Sequence, residues 1–170
     1  MPLTEITQMK SHAVKVDPRL ENLLPGFTFS DAYRVVGARS DLNARQAARA
    51  IFNSPPAWVN ALMALRNWIV GWFGLKAGTR STATNEPSRV GIFPIVLESP
   101  QEILLGMDDH HLDFRLIVTL DSTSASTQTI TVTSLVKTHN RLGRVYLTMI
   151  LPFHRLLART MLARASLSGV

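Results

Sequence analysis

The sequence contains no cysteine, which excludes disulfide bonds, thiolate nucleophiles and cysteine-bound zinc. Its N-terminus also lacks a charged start followed by an apolar run and a small-residue cleavage site, the pattern of a signal peptide. From both absences we expect a cytoplasmic protein. A chain of 170 residues, 46% of them hydrophobic, has the size of one domain and can bury a substantial core.

Acidic residues are missing from the C-terminal part of the chain. No Asp or Glu follows Asp121, whereas six Lys and Arg do, so this part carries the whole net charge of +6. Such an excess suggests an anionic partner, and its simplest alternative is a solvated helix face. The chain has no zinc-finger pattern, aromatic RNA-binding motif or Lys/Arg-rich cluster, so we do not expect nucleic acid as the partner. Peripheral contact with a membrane stays open.

Residues 1–26 are polar, show no clear periodicity and end in "LLPG", which predicts an arm or linker before a single domain over residues 27–168. A first strand is predicted over 27–37. A helix over 44–52, capped by Asp41 or Asn43, follows it. A second helix begins near residue 57, after the two prolines at 55 and 56.

The second predicted helix contains every tryptophan of the chain: Trp58, Trp68 and Trp72. At helical spacing they form one apolar side with leucine and isoleucine residues. This side favours core packing or the lining of a ligand cavity, with a helix lying on a membrane surface as the alternative. Interruption by Asn60, Arg66 and Asn67 argues against a membrane span, which needs about 20 mostly apolar residues.

The second half of the chain predicts an antiparallel meander followed by a long helix. The strands are expected over 89–99, 102–108, 111–121 and 127–138. The helix over 140–165 is amphipathic, and Pro152 is expected to kink it or divide it in two. Its apolar side comprises Leu142, Val145, Tyr146, Met149, Ile150, Phe153, Leu156 and Leu157, and its basic side comprises Arg141, Arg144, Arg155 and Arg159.

This order of elements predicts an α+β fold in which a curved antiparallel sheet packs around the long C-terminal helix. It resembles the helix-grip fold of Bet v 1-like and START-like proteins, the SRPBCC superfamily. That resemblance implies two short helices between the first two strands and a hydrophobic cavity between sheet and helix. About five strands can be predicted here, against the seven usual in that fold.

A narrower resemblance rests on "GMDDHHLDFR", "THNRLGRVYL" and "PFHR". These segments are similar to the uncharacterised bacterial family called domain of unknown function 2867, and the similarity covers about residues 28–165. The resemblance implies a fold and no reaction. The matching residues are Gly106, Asp108, Asp109, His111, Leu112, Asp113, Phe114, Arg115, His139, Asn140, Gly143, Arg144, Tyr146, Leu147, Pro152, Phe153 and His154.

Polar residues alternate with apolar ones after "GMDD". On a strand, His111, Asp113 and Arg115 share one face, while Leu112 and Phe114 share the other, which should face the core. The polar face then points to solvent or to a partner subunit in a homodimer, and Asp113 could pair with Arg115. In the inverted register these side chains instead line a polar part of the cavity.

Proton transfer by His111, Asp113 and His154 is the chemistry that the inverted register would allow. A divalent metal held by His111, Asp113 and either Asp109 or His139 is a less specific alternative, because the spacing matches no known ligand motif. We therefore predict no metal and no cofactor. The start of the final helix, with Asn140, is expected to be capped, and anion binding there is the alternative.

Three functions remain. The first is binding of a small apolar molecule or lipid. The second is a cyclase-like or lyase-like enzyme acting on an apolar substrate, and the third is an interaction module at an anionic membrane or a partner protein. For the first, the predicted ligand-binding residues are Trp58, Trp68, Trp72, Phe114, Arg115, His139, Arg144, Tyr146, Met149 and Phe153.

Overall fold

The computed structural model describes residues 11–39, 41–53, 88–125 and 127–167. The strands are β1 His12–Val14, β2 Phe29–Arg39, β3 Arg89–Val90, β4 Phe93–Glu98, β5 Glu102–Asp108, β6 Leu112–Ser122 and β7 Thr127–Thr138. The helices are α1 Pro18–Glu21, α2 Ala44–Phe52 and α3 Arg141–Leu167. The second predicted helix, with Trp58, Trp68 and Trp72, lies outside the described residues.

The strands form one seven-stranded antiparallel sheet in the order β1-β2-β7-β6-β5-β4-β3. The α+β class is confirmed, and the sequence-based number of strands was too small. The two extra strands are β1 and β3, which have three and two residues. Segments this short show no alternation that a sequence pattern could reveal. Gly91, at a φ of 57°, makes the turn that separates β3 from β4 within the single strand predicted there.

Helices α2 and α3 begin at caps that the sequence predicts, whereas α1 lies in the segment predicted to be an arm. The Asn43 side chain accepts a hydrogen bond from the Gln46 backbone N–H, and the Gln46 side chain accepts one from the Asn43 N–H, which is a complete capping box for α2. Helix α3 continues through Pro152, so the predicted division at that proline is not observed. No described helix is long and apolar enough to cross a membrane.

The missed strand β1 also changes where the helices stand in the chain order. Helix α1 lies between β1 and β2, and α2 lies after β2, so the placement of two helices between the first two strands was wrong in that detail. Residues 11–26, assigned to the arm from sequence, supply both β1 and α1. Leu20 and Leu24 of this segment are buried against Leu104, Ile117 and Leu135.

The sheet therefore has packed residues on both faces. We call the face against α2 and α3 the helix face, and the face against α1 the outer face. The helix face carries the larger core, which includes Val118 and Leu120 of β6 and Met161 and Leu162 of α3. Ile117 belongs to the outer face. The predicted alternation along β6, with its apolar set toward the long helix, is thus confirmed.

Candidate functional site

A polar cluster of Asp31, Ser134 and His154 lies on the helix face. The His154 Nε2 atom is 3.3 Å from Asp31 Oδ1 and 3.2 Å from Ser134 Oγ. Strand pairing explains why two of these residues meet, because Asp31 of β2 lies directly opposite Ser134 of β7. His154 is one helical turn before Ala158, which packs against the main core, so the same side of α3 faces the sheet. We refer to these three residues as the Asp31 cluster.

The Asp31 cluster is mostly withdrawn from solvent. The Asp31 side chain is 15% exposed and that of His154 is 23% exposed. The Oδ2 atom of Asp31 is buried and has no hydrogen-bond partner within the described part of the chain. A buried acceptor without a donor costs about 1–3 kcal/mol, and native proteins rarely leave one unsatisfied. An additional hydrogen-bond donor at this oxygen would therefore stabilise the protein.

Tyr33 and Phe29 flank the Asp31 cluster along β2. Burial raises the pKa of Tyr33, the negative charge of Asp31 raises it further, the nearby Arg159 acts in the opposite direction, and a side-chain hydrogen bond with Asp31 adds a smaller rise. The Arg159 guanidinium carbon lies 5.7 Å from the centre of the Tyr33 ring, within cation–π range. On the other side, the Phe29 ring meets the His154 ring edge-on at 6.1 Å.

Strand register arranges the helix face in rows that run across β2, β7, β6 and β5, and burial changes from row to row. The row next to the Asp31 cluster on the side of α2 begins at Tyr33 and is buried; it comprises Tyr33, Val132, Val118 and Ile103. The row on its other side is half-buried or exposed: Phe29, Val136, Phe114 and Met107. The Asp31 cluster thus stands at the border between a closed core and a partly open apolar surface.

The open row continues as aromatic contacts toward β4 and α2. The Phe114 and Phe93 rings are 5.7 Å apart in an edge-to-face arrangement. Phe93 and Phe52 are 5.5 Å apart in the same arrangement. An open groove of about 440 Å³ lies at the β1 edge of the sheet, and Asp31 is the member of the cluster that lines it. It is lined by Ala13, Val14, Lys15, Val16, Glu21, Ser30, Asp31, Ala32 and Tyr33.

The geometry of the Asp31 cluster limits the chemistry it can perform. Asp31 and Ser134 both contact the same nitrogen of His154. In a Ser-His-Asp relay the acid and the nucleophile bind different ring nitrogens, so that the imidazole can pass a proton between them. The arrangement here instead presents a carboxylate, an imidazole and a hydroxyl side by side, which suits hydrogen bonding to a polar group of a ligand.

A second polar group, at the turn between β5 and β6, holds that turn against neighbouring elements. His139 Nε2 lies 2.9 Å from Asp113 Oδ1. The sequence suggested that Arg115 pairs with Asp113. In the structure Arg115 instead donates to Asp108 Oδ1 at 2.6 Å. The reason is that Gly106 lies opposite Arg115, and a side chain there would reach within 2.8 Å of the Arg115 Cδ atom. Because Gly106 has no side chain, the Arg115 side chain can extend across β5 to Asp108.

The same turn covers the N-terminus of α3. The Asn140 Oδ1 atom accepts a hydrogen bond from the Gly143 N–H at 2.9 Å, which confirms the predicted cap. Asn140 Nδ2 donates to the His110 carbonyl at 3.2 Å, and the His139 N–H donates to the His111 carbonyl at 2.9 Å. A Cβ atom on Gly143 would lie only 2.1 Å from that His111 carbonyl oxygen. The backbone of the turn therefore occupies the space where an anion would bind.

The structure separates the three residues considered for proton transfer. Asp113 points from the outer face, His154 contacts the helix face, and His111 lies in the turn before β6. They do not form one site. Within the described ranges, no three His, Asp or Glu side chains are grouped so that they could hold a metal ion.

The predicted ligand-binding residues fall into three places. Phe114 lies on the helix face, in the open row. Arg115 and His139 belong to the turn. The remaining described residues are on α3, where Tyr146 is half-buried and Arg144, Met149 and Phe153 are exposed.

Sequence reasoning missed Asp31 and Ser134, although the chain carries a signal for each. Asp31 occupies the apolar phase of its strand, in step with Phe29, Tyr33 and Val35. Ser134 likewise interrupts the apolar phase of β7. A polar residue in the inward phase of a strand needs a partner or a function.

Comparison with known proteins identifies the family of the chain. The search of curated proteins found no match. The model of a family described as "Protein of unknown function (DUF2867)" matches residues 23–161, a range that includes both the Asp31 cluster and the β5–β6 turn. The chain therefore belongs to the DUF2867 family.

Proposed function

We propose that the protein binds a small, mostly apolar molecule that carries a hydrogen-bond donor, with the Asp31 cluster as its polar anchor. The observation that carries the proposal is the buried Oδ2 atom of Asp31, which has no hydrogen-bond partner among the residues that the structure describes. A hydroxyl or amine of the ligand that reached this oxygen would remove a penalty of about 1–3 kcal/mol. The adjacent His154 and Ser134 offer further donor and acceptor atoms to the same polar group.

The surroundings of the Asp31 cluster support an apolar body for this ligand. The half-buried Phe29, Val136 and Phe114 lie in the next row of the helix face. Binding sites for small molecules are mostly apolar, with a few placed polar groups that fix orientation. A fatty alcohol or a long-chain amine combines both features, and either belongs to the broader class of small hydrophobic ligands and lipids.

We infer a helix-grip architecture from the same arrangement. Seven antiparallel strands and a long C-terminal helix that packs against β2 and β7 support it. In that architecture the ligand would lie between the helix face and α3. A cytoplasmic setting in a bacterium accompanies this proposal, and it is supported by the lack of cysteine and by the motif resemblance.

The proposal can be tested with two probes that differ only in whether they carry a hydrogen-bond donor. Decanol and its methyl ether have closely similar apolar chains, and only decanol can donate a hydrogen bond to Asp31. We expect decanol to bind about tenfold more tightly than the ether in isothermal titration calorimetry, because one hydrogen bond to a charged acceptor is worth about 1.5 kcal/mol or more. Equal affinities, or no binding of either probe, would contradict the proposal.

Matched variants then connect that preference to the Asp31 cluster. Asp31→Asn preserves the side-chain volume but removes the charge and exchanges one carboxylate oxygen for an NH2 group, and it should abolish the preference for decanol over the ether. Asp121→Asn, at an exposed position of β6, makes the same chemical change elsewhere and should leave the preference intact. A preference that persists in Asp31→Asn would place the polar anchor at another residue.

A further inference from the structure

Helix α3 has two exposed strips, and of their residues only Arg159 contacts a neighbour of the Asp31 cluster, the Tyr33 ring. Val145, Met149 and Leu156 are 57%, 50% and 60% exposed, respectively. At about 100° per residue they fall within a sector of about 40°. The buried Met161 and Leu162 and the sheet-facing His154 lie on the opposite part of the helix circumference. This apolar strip therefore points away from the sheet, although it belongs to the apolar side of the helix that the sequence predicted to pack against the sheet.

Four arginines form a basic strip beside the apolar one. All four are exposed, and none makes an ion pair within the part of the chain that the structure describes. No Asp or Glu occurs after Asp121, so α3 itself contains no compensating carboxylate. The strip comprises Arg141, Arg144, Arg155 and Arg159.

We propose that this side of α3 lies on an anionic lipid surface. Helices that bind membrane interfaces place an apolar strip among the lipid chains and basic residues on the polar face, near the headgroups. The strip from Val145 to Leu156 is about 16 Å long, at a rise of about 1.5 Å per residue. Its direction away from the sheet lets the helix approach a flat surface without displacing the core.

Charge favours a lipid surface over a second copy of the chain. An isologous dimer through the same strip would bring two sets of uncompensated arginines together. Like charges placed opposite each other weaken association. An anionic membrane instead supplies the missing negative charge. This proposal is independent of the ligand proposed for the Asp31 cluster.

Sedimentation of the full chain with phospholipid vesicles tests the proposal. We expect binding to phosphatidylcholine vesicles that contain phosphatidylserine and little binding to pure phosphatidylcholine. Raising the salt concentration should weaken the binding, because exposed charges are screened. Binding that is absent, or that ignores both phosphatidylserine and salt, would overturn the proposal.

Two sets of variants separate the apolar and the basic contributions. Replacing Val145, Met149 and Leu156 together by Ser should abolish sedimentation, whereas Leu97→Ser, at an exposed position of β4, should not. Arg141→Gln with Arg144→Gln should weaken binding about twenty-five-fold, at about fivefold per arginine. Circular dichroism checks that each variant is folded.

Two further outcomes would overturn the proposal: binding driven by net charge alone, and use of the apolar strip in a dimer. Replacing the exposed basic residues Lys15 and Arg49 by Gln removes the same net charge from positions outside α3. Equal weakening by this pair and by the α3 pair would show that net charge alone drives binding, and would overturn the role of α3. A concentration-dependent dimer that the triple Ser variant dissociates would assign the apolar strip to a second copy instead.

Discussion

Gly143→Ala should destabilise the protein, although the same substitution stabilises most helices. At an exposed helix position, Ala is favoured over Gly by about 1 kcal/mol. Gly143 does not have a positive φ, so its backbone conformation suits Ala. The obstacle is the β5–β6 turn, because the new Cβ atom would lie 2.1 Å from the His111 carbonyl oxygen and 3.0 Å from its carbon. The turn would have to retreat by about 1 Å to restore normal contact.

The cost of that retreat can be estimated from the bonds it breaks. The His139 N–H donates to the His111 carbonyl at 2.9 Å, and Asn140 Nδ2 donates to the His110 carbonyl at 3.2 Å. Each bond contributes about 1 kcal/mol, and overpacking adds at least about 1 kcal/mol. After the gain in helix propensity is subtracted, the free energy of unfolding should fall by about 2 kcal/mol.

Urea denaturation followed by far-ultraviolet circular dichroism measures this change. The fall should appear as a lower midpoint with an unchanged slope, because the surface exposed on unfolding stays the same. Thr148→Ala is the control on the same helix, at an exposed position, and it should raise stability by a few tenths of a kcal/mol. If Gly143→Ala is as stable as the unaltered protein, the turn is not held against the start of α3.

Three further predictions concern Tyr33, which lies beside the Asp31 cluster, and the polar residues of the β5–β6 turn. Alkaline absorbance titration, with Tyr33→Phe as reference, should show Tyr33 ionising above its ordinary pKa of 10.0. Since the pKa of Tyr33 is raised in the folded protein, its contribution to stability is complete below pH 10 and is lost as pH rises through the raised pKa. A titration midpoint at or below 10 would contradict the raised pKa. Asn140→Ala should lower the free energy of unfolding by about 1–2 kcal/mol and Asn140→Asp by less, because only Asp retains the cap; equal losses would deny the cap. A double-mutant cycle of Arg115→Gln and Asp108→Asn should give a coupling below about 1 kcal/mol, since Asp108 is 66% exposed; a larger coupling would show that the pair is better shielded from solvent.

Local patterns were sufficient to predict most of the long elements. Strand β7 and helix α2 have the predicted bounds, Thr127–Thr138 and Ala44–Phe52. Twelve residues of β-rich sequence and a capped amphipathic helix contain enough repeats for their period to be recognised. Strands β1 and β3 contain too few residues for that, and their conformation depends on pairing with β2 and β4.

The polar pairs show where local information ends. On sequence spacing, Asp113 and Arg115 are natural partners, two residues apart on one strand face. In the structure Arg115 reaches Asp108 on β5, because pairing puts the small Gly106 opposite it. Which charge finds which partner thus depends on the register of a neighbouring strand.

The sequence by itself determined the α+β class, the long strands, the capped helices and the basic C-terminal part, because each follows from periodicity or composition within one segment. It also placed Asp31 in the apolar phase of its strand. Only the tertiary structure decided what Asp31 meets, because His154 lies 123 residues away along the chain and reaches it only when α3 packs on β2 and β7. Contacts at such separation depend on register and helix packing, which no local pattern encodes.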